Sequence, residues 1–173
     1  VFEGKDTLQR GVYILASQNN AKYMEFLVDS SFFFSVESNE LDPKSLNVSN
    51  NVRFVNSPEN DLFYAFTSYM VSKQIAGSSV NKKIKDEQAK PSPDQSFIES
   101  YRTELKSIYD SMQVFTNQFI KNNPDNLFAK TQKLAQNVEI PETPPAGNTD
   151  SNWKYNYYVN HYWDNCDFNE TAL

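Results

Sequence analysis

The chain has 173 residues, a formal net charge of −6, 39% apolar and 14% aromatic residues, which excludes disorder along the whole length and leaves room for a packed core. Its 16 basic residues are scattered apart from 82-KKIK-85, so no stripe tracks a phosphate backbone and nucleic acid is not an expected partner. A single cysteine excludes an internal disulfide and a CxxC dithiol within these residues, and no run of 18 apolar residues is present to span a bilayer as a helix.

In chain order, 11-GVYILAS-17 and 23-YMEFLVD-29 are β-branched and aromatic runs joined by 18-QNNAK-22, whose Asn pair tolerates a tight turn, and they predict a hairpin. A third strand is expected at 32-FFFSVES-38 and a short fourth at 52-VRFV-55, after the polar loop 39–51, giving an antiparallel meander. From 57-SPENDLFYAFTSYMVSKQI-75 the apolar period changes from two to 3.6. Ser57 is placed as N-cap, Pro58 as first helical residue, and acids fill the first turn. Leu62, Phe66, Tyr69 and Met70 are expected on one face. The stretch 77–93 reads either as an extension of this helix through Lys90 or as a loop, with Pro91 and Pro93 as the stop.

A long helix is predicted from about Asp94 to Lys121, its stripe running Phe97, Tyr101, Leu105, Ile108, Met112, Phe115 and Phe119. Residues Leu127, Thr131, Leu134 and Val138 predict a short helix after Pro124. The Pro-rich 139-EIPETPPAGNTDS-151 is a stiff connection, and a last helix is expected from Asn152 to about Asn165. Strands first and helices second make an α+β chain, with a β-rich domain at 1–56, meander or sandwich-like, and a helical domain of three to four helices at 57–173.

The segment 152-NWKYNYYVNHYWDNCDF-168 gathers the only His, the only Cys, both Trp, and Asp164 and Asp167. A thiolate activated by an imidazole would need His161 and Cys166 to meet, yet a separation of five turns their side chains apart by about 140° on a continuous helix. The set also lacks the paired ligand spacings of a zinc site. No catalytic, metal or cofactor-binding residue is therefore assigned, and the acids in 37–42, 59–61 and 139–142 are expected at the surface. Trp153, Tyr157, Tyr158 and Tyr162 recur as expected of a helix packed on one side, yet the rings cannot all face the way of Trp153 and Tyr157, which leaves Tyr155, Tyr158 and Trp163 as a candidate contact surface.

Several strings in order resemble a known family. The first, 3-EGKDTLQRGVYILASQNNAKYMEFLVD-29, is similar to the latter half of the β-rich N-terminal domain of extracytoplasmic thioredoxin-like proteins of Bacteroidetes, and 53-RFVNSPENDLFYAF-66 to the Ser-x-Glu-Asn helix start that follows it. Further on, 123-NPDNLFAKTQKL-134, 138-VEIPETP-144 and 154-KYNYYVNHYWDNCDF-168 resemble the helical region preceding the thioredoxin domain in that family. The resemblance implies a non-catalytic accessory module of a secreted or lipid-anchored thiol-disulfide interchange protein. Such a module would position, dimerise or give partner selectivity to a downstream thioredoxin-like domain, in the periplasm or cell envelope. It implies no cofactor, a missing strand before Val1, protein substrates or self-association as further partners, and membrane attachment only through a removed lipid anchor. Cys166 stands where that family has an apolar residue more often, so no redox role carries over. The alternative is a stand-alone surface or periplasmic protein-binding module.

Overall fold

A computed structural model describes residues 7–16, 22–38 and 52–166 of the protein. Strands β1 (Gly11–Ala16) and β2 (Lys22–Val28) pair antiparallel with Gly11 opposite Val28, and β3 (Ser35–Ser38) pairs with β4 (Val52–Val55) with Ser35 opposite Val55. Four helices follow: α1 (Pro58–Gln88), α2 (Gln95–Asn122), α3 (Leu127–Leu134) and α4 (Trp153–His161). The chain is α+β, as its two periodicities require. The expected third strand begins three residues later than 32, and the strands form two separate two-stranded sheets in place of one meander.

The cause lies on the free edge of β2. In an antiparallel ladder the N–H and C=O of one residue point to the same side, and those of Leu27 turn away from β1. The Asn60 side chain meets both: Leu27 N donates to Oδ1 at 2.7 Å, and Nδ2 donates to Leu27 O at 2.8 Å. One helical turn on, the Tyr64 hydroxyl donates to Glu25 O at 2.8 Å, and Glu59 accepts from Ser31 N and Oγ, both at 2.9 Å. Side chains of α1 thus occupy the edge that a neighbouring strand would need. Burial, and secondarily the charge of Glu25, pushes the Tyr64 phenol up to about 12, which keeps it a donor through the alkaline range.

Aromatic rings bridge what hydrogen bonds do not. Tyr13 stacks on Phe26, Phe26 meets Phe34, Phe34 meets Phe54, and Phe54 meets Tyr64, with centroids 5.2–6.1 Å apart. Asn56, between β4 and α1, holds φ 64°, a left-handed conformation that Asn tolerates better than most residues, and so swings Ser57 toward β2. Ser57 does precede the helix, but its hydroxyl accepts from Asn60 Nδ2 at 2.7 Å and caps no backbone N–H.

Helix α1 runs unbroken through 77–88, settling that stretch as helix, and packs antiparallel on α2. Among its buried and half-buried positions, Phe63, Phe66, Met70, Lys73, Gly77, Val80, Ile84 and Glu87 advance by alternating threes and fours. So do Ile98, Tyr101, Leu105, Ile108, Met112, Phe115 and Phe119 on α2. This alternation is the seam of a two-stranded coiled coil, and it corrects two expectations. Phe97, predicted on the stripe, is 53% exposed while Ile98 is buried; Leu62 is exposed while Phe63 is buried. The steps of four from 97 to 101 and 101 to 105 drift off a straight seam, whereas 98, 101 and 105 stay on it.

Both ends of the hairpin are pinned. At the turn, Glu87 accepts from Lys90 Nζ and from Asp94 N, contacts that hold its carboxyl below the usual range, the Lys90 bond first, and Asp94 caps α2 by accepting from Ser96 N. At the base, Phe66, Phe119 and Ala129 form a buried cluster with Met70, Phe115 and Phe128 around it, and Phe63 meets Phe128 edge to face at 4.7 Å. The start of α3 is tied to the sheet: Leu127 N donates to Asp29 Oδ2 at 2.8 Å, and Arg10 Nε donates to Asp29 Oδ1 at 2.6 Å. The carboxylate thereby satisfies a free N–H at the positive end of a helix.

Replacing Asn60 by Ala strands the buried N–H and C=O of Leu27 and is expected to cost roughly 2–4 kcal/mol in urea unfolding. Asn60→Asp should also destabilise, because a carboxylate cannot donate to Leu27 O; a loss under about 1 kcal/mol for Asn60→Ala would refute this role of the amide. Gly77 sits inside α1 with room for one carbon, since a Cβ there would lie 3.5 Å from Leu105 Cδ1 and 3.9 Å from Ile108 Cγ2. Gly77→Ala should therefore stabilise by about 0.5–1 kcal/mol through helix propensity, and Gly77→Leu should destabilise by roughly 1–3 kcal/mol by overpacking, both read from thermal or urea midpoints.

Candidate functional site

The aromatic segment near the end of the chain forms α4, but the helix stops at His161, four residues short of the expected end, and residues 162–165 are turns. Asp150 organises its start, accepting from Asn152 N at 2.8 Å and from Asn156 Nδ2 at 2.6 Å. Its finish is also local. His161 Nδ1 lies 2.6 Å from Asp164 Oδ2, and the His161 ring packs on Tyr157 with centroids 4.1 Å apart. An imidazole in the last turn complements the negative helix end, which is reason enough for it to sit there.

This geometry decides which of the rare residues come together. His161 meets Asp164 and Tyr157; Cys166, half-buried, makes no side-chain hydrogen bond among the described residues. His161 and Asp164 are three residues apart, a spacing that brings side chains together on a helix as well as in the turn that follows α4. Asp167 lies outside the described residues. Among those described, no group of three or more His, Cys, Asp or Glu is placed to hold a metal ion.

No residue of α4 is fully buried. Tyr155 is 69% exposed, Trp163 59% and Tyr158 38%; Tyr162, expected among the packed rings, is exposed instead because it lies in the turn beyond the end of α4, and Val159 is exposed beside them. Tyr158 meets Tyr162 at 5.4 Å and Tyr162 meets Trp163 edge to face at 4.8 Å, so the rings order one another. The i, i+4 spacing of Tyr158 and Tyr162 does bring the two rings together, but at the surface. Trp153 and Tyr157, also expected to pack, are each half-buried.

The inner side of α4 borders an open cleft of about 840 Å³. Its other walls are the C-terminal half of α2 and residues 132–139, the end of α3 and the strand-free segment after it. Gln113 and Asn117 stand one turn apart on α2, facing Gln132 and Gln136, while Tyr157 and His161 line the α4 side. Asn117 Oδ1 accepts from Gln113 Nε2 at 3.0 Å and from Gln136 Nε2 at 2.7 Å, tying two walls together. Sequence reasoning missed this cleft because its amides come from segments far apart in the chain.

No protein-family model, no curated protein and no solved structure matches the chain. The site is thus read from its own residues. An exposed aromatic face and a polar, amide-lined cleft share α4, and no helix among the described residues is long and apolar enough to cross a membrane.

Cys166→Ser and Asp164→Asn should each change unfolding free energy by less than about 1 kcal/mol, since the thiol makes no polar contact among the described residues and the Asp164–His161 pair is solvent-exposed on both sides. A loss of several kcal/mol in urea unfolding for either would mean that the segment is held by interactions other than those described.

Proposed function

We propose that this chain is a non-catalytic positioning module of an extracytoplasmic thiol-disulfide interchange protein, presenting the outer face of α4 to a thioredoxin-like domain. The carrying observation is the exposure of Tyr155, Tyr158 and Val159 on α4, a helix with no fully buried residue, and of Tyr162 and Trp163 in the turn that follows it. An aromatic cluster of this kind is a typical centre of a protein interface, where rigid rings bury large area at low entropic cost. In the family that the sequence resembles, the segment corresponding to α4 leads into the thioredoxin-like domain, which supports reading that domain as the occupant. On this reading α2 and the segment after α3, which share a cleft with the inner side of α4, are its mounting.

The test begins with the gene. A reading frame continuing past Leu173 into a W-C-x-x-C domain is expected, and a stop codon with no thioredoxin-like partner nearby would overturn the proposal. In the two-domain protein, the double substitution Tyr155→Ser with Trp163→Ser should release the thioredoxin-like domain, seen as independent tumbling of the two parts by NMR relaxation. Because both rings are exposed, the melting temperature of the present chain should change by less than about 3 °C.

A further inference from the structure

The cleft behind α4 carries chemistry that a positioning role does not use. Four amides line it: Gln113 and Asn117, one turn apart on α2, and Gln132 in α3 with Gln136 just beyond that helix. A primary amide offers both donors and an acceptor, so a wall of amides matches groups that also donate and accept. The Asn117 carbonyl is committed to Gln113 and Gln136. Its own NH₂ group and the carbonyl oxygens of Gln113 and Gln136 have no partner among the described residues, and they line open space. The network therefore links Asn117 to Gln113 and Gln136 while leaving donor and acceptor capacity on these three amides.

Charge narrows the ligand. The charged groups of the lining are one ammonium, Lys121, and two carboxylates, Glu139 and Asp164, the latter hydrogen-bonded to His161, so the cleft holds no concentration of positive charge that would recruit an anion. Apolar lining is confined to a few groups such as Ile120, Val138 and the Tyr157 ring, too little to select hydrophobic side chains of a peptide. Its volume of about 840 Å³ lies within the range of small-ligand sites.

We propose that this cleft binds a short uncharged oligosaccharide, with Gln113, Asn117 and Gln136 hydrogen-bonding its hydroxyls and the Tyr157 ring contacting a C–H face. Hydroxyls are donors and acceptors at once, as these amides are, and sugar rings bring modest apolar faces that suit a single aromatic side chain. This binding role is independent of the positioning role of the outer α4 face.

The experiment is a titration of the full chain, followed by NMR of backbone and side-chain amides, with maltotriose, cellotriose, xylotriose and chitotriose, and with an acetylated, amidated triglycine as the uncharged peptide probe. At least one trisaccharide is expected to shift the side-chain NH₂ signals of Gln113, Asn117 and Gln136 with a Kd of about 1 mM or tighter. Asn117→Ala should weaken that binding at least about tenfold, equivalent to about 1.4 kcal/mol. Should Asn117→Ala fail to fold, Gln136→Ala, beyond the end of α3, gives the same readout. Absence of any saccharide-induced shift in the cleft at about 10 mM, binding indifferent to both substitutions, or saturation of the same amides by the triglycine instead would each overturn the proposal.

Discussion

The fold hangs on one side chain imitating a strand. Asn60 presents an amide to both backbone groups of Leu27, the same donor and acceptor pair that a neighbouring strand would offer, and it is itself wholly buried. A main-chain edge left bare would either recruit another strand or stay wet; covering it with α1 ends the sheet at two strands and fixes where the helix begins. Much else follows from that placement. Glu59 and Tyr64 reach their partners on the same edge because they flank Asn60 by one residue and by one turn, and Phe63 then points into the cluster that receives α3.

The long hairpin is held by a different logic, that of a two-helix seam. Its middle contains Lys73 and Gly77, weak contributors to apolar burial, while its base is closed by Phe66, Phe115, Phe119 and Phe128. The apolar weight sits where the hairpin joins the sheets, and the distal part is a slender arm with side chains such as Ile75, Phe97 and Tyr109 in solvent. Stability along it is accordingly uneven, with the base the part most costly to open.

Element types were legible in the sequence because the apolar period changes cleanly at Ser57, and the helix limits at Pro58, Asp94 and Leu127 carry recognisable chemistry in Pro, Asp and Asn. What escaped was whatever a partner decides. Phe97 and Ile98, or Leu62 and Phe63, are adjacent apolar residues, and only the facing helix chooses between them. Ser57, Glu59 and Asn60 read as ordinary helix-start residues, yet all three spend their side chains on tertiary contacts. In the closing segment the exposure of Tyr155, Tyr158 and Trp163 was legible from angular spacing, whereas the early end of α4 was not, because no Gly or Pro follows His161 to announce it. The amide cleft was invisible for a simpler reason: it exists only where three segments converge.

The bond from Leu127 N to Asp29 joins residues 98 apart and closes a loop containing the entire hairpin. Coiled-coil seams are prone to slide, and a slip of one heptad between α1 and α2 would move the end of α2 by about 10 Å along the axis. Leu127 would then lie far from Asp29, and the N–H at the head of α3 would lose its carboxylate. Only one alignment of the two long helices satisfies both this bond and the Glu87–Asp94 contact at the far turn. The sheet thus acts as a gauge of length, accepting the chain that returns to it only when the helices have been paired in the correct frame.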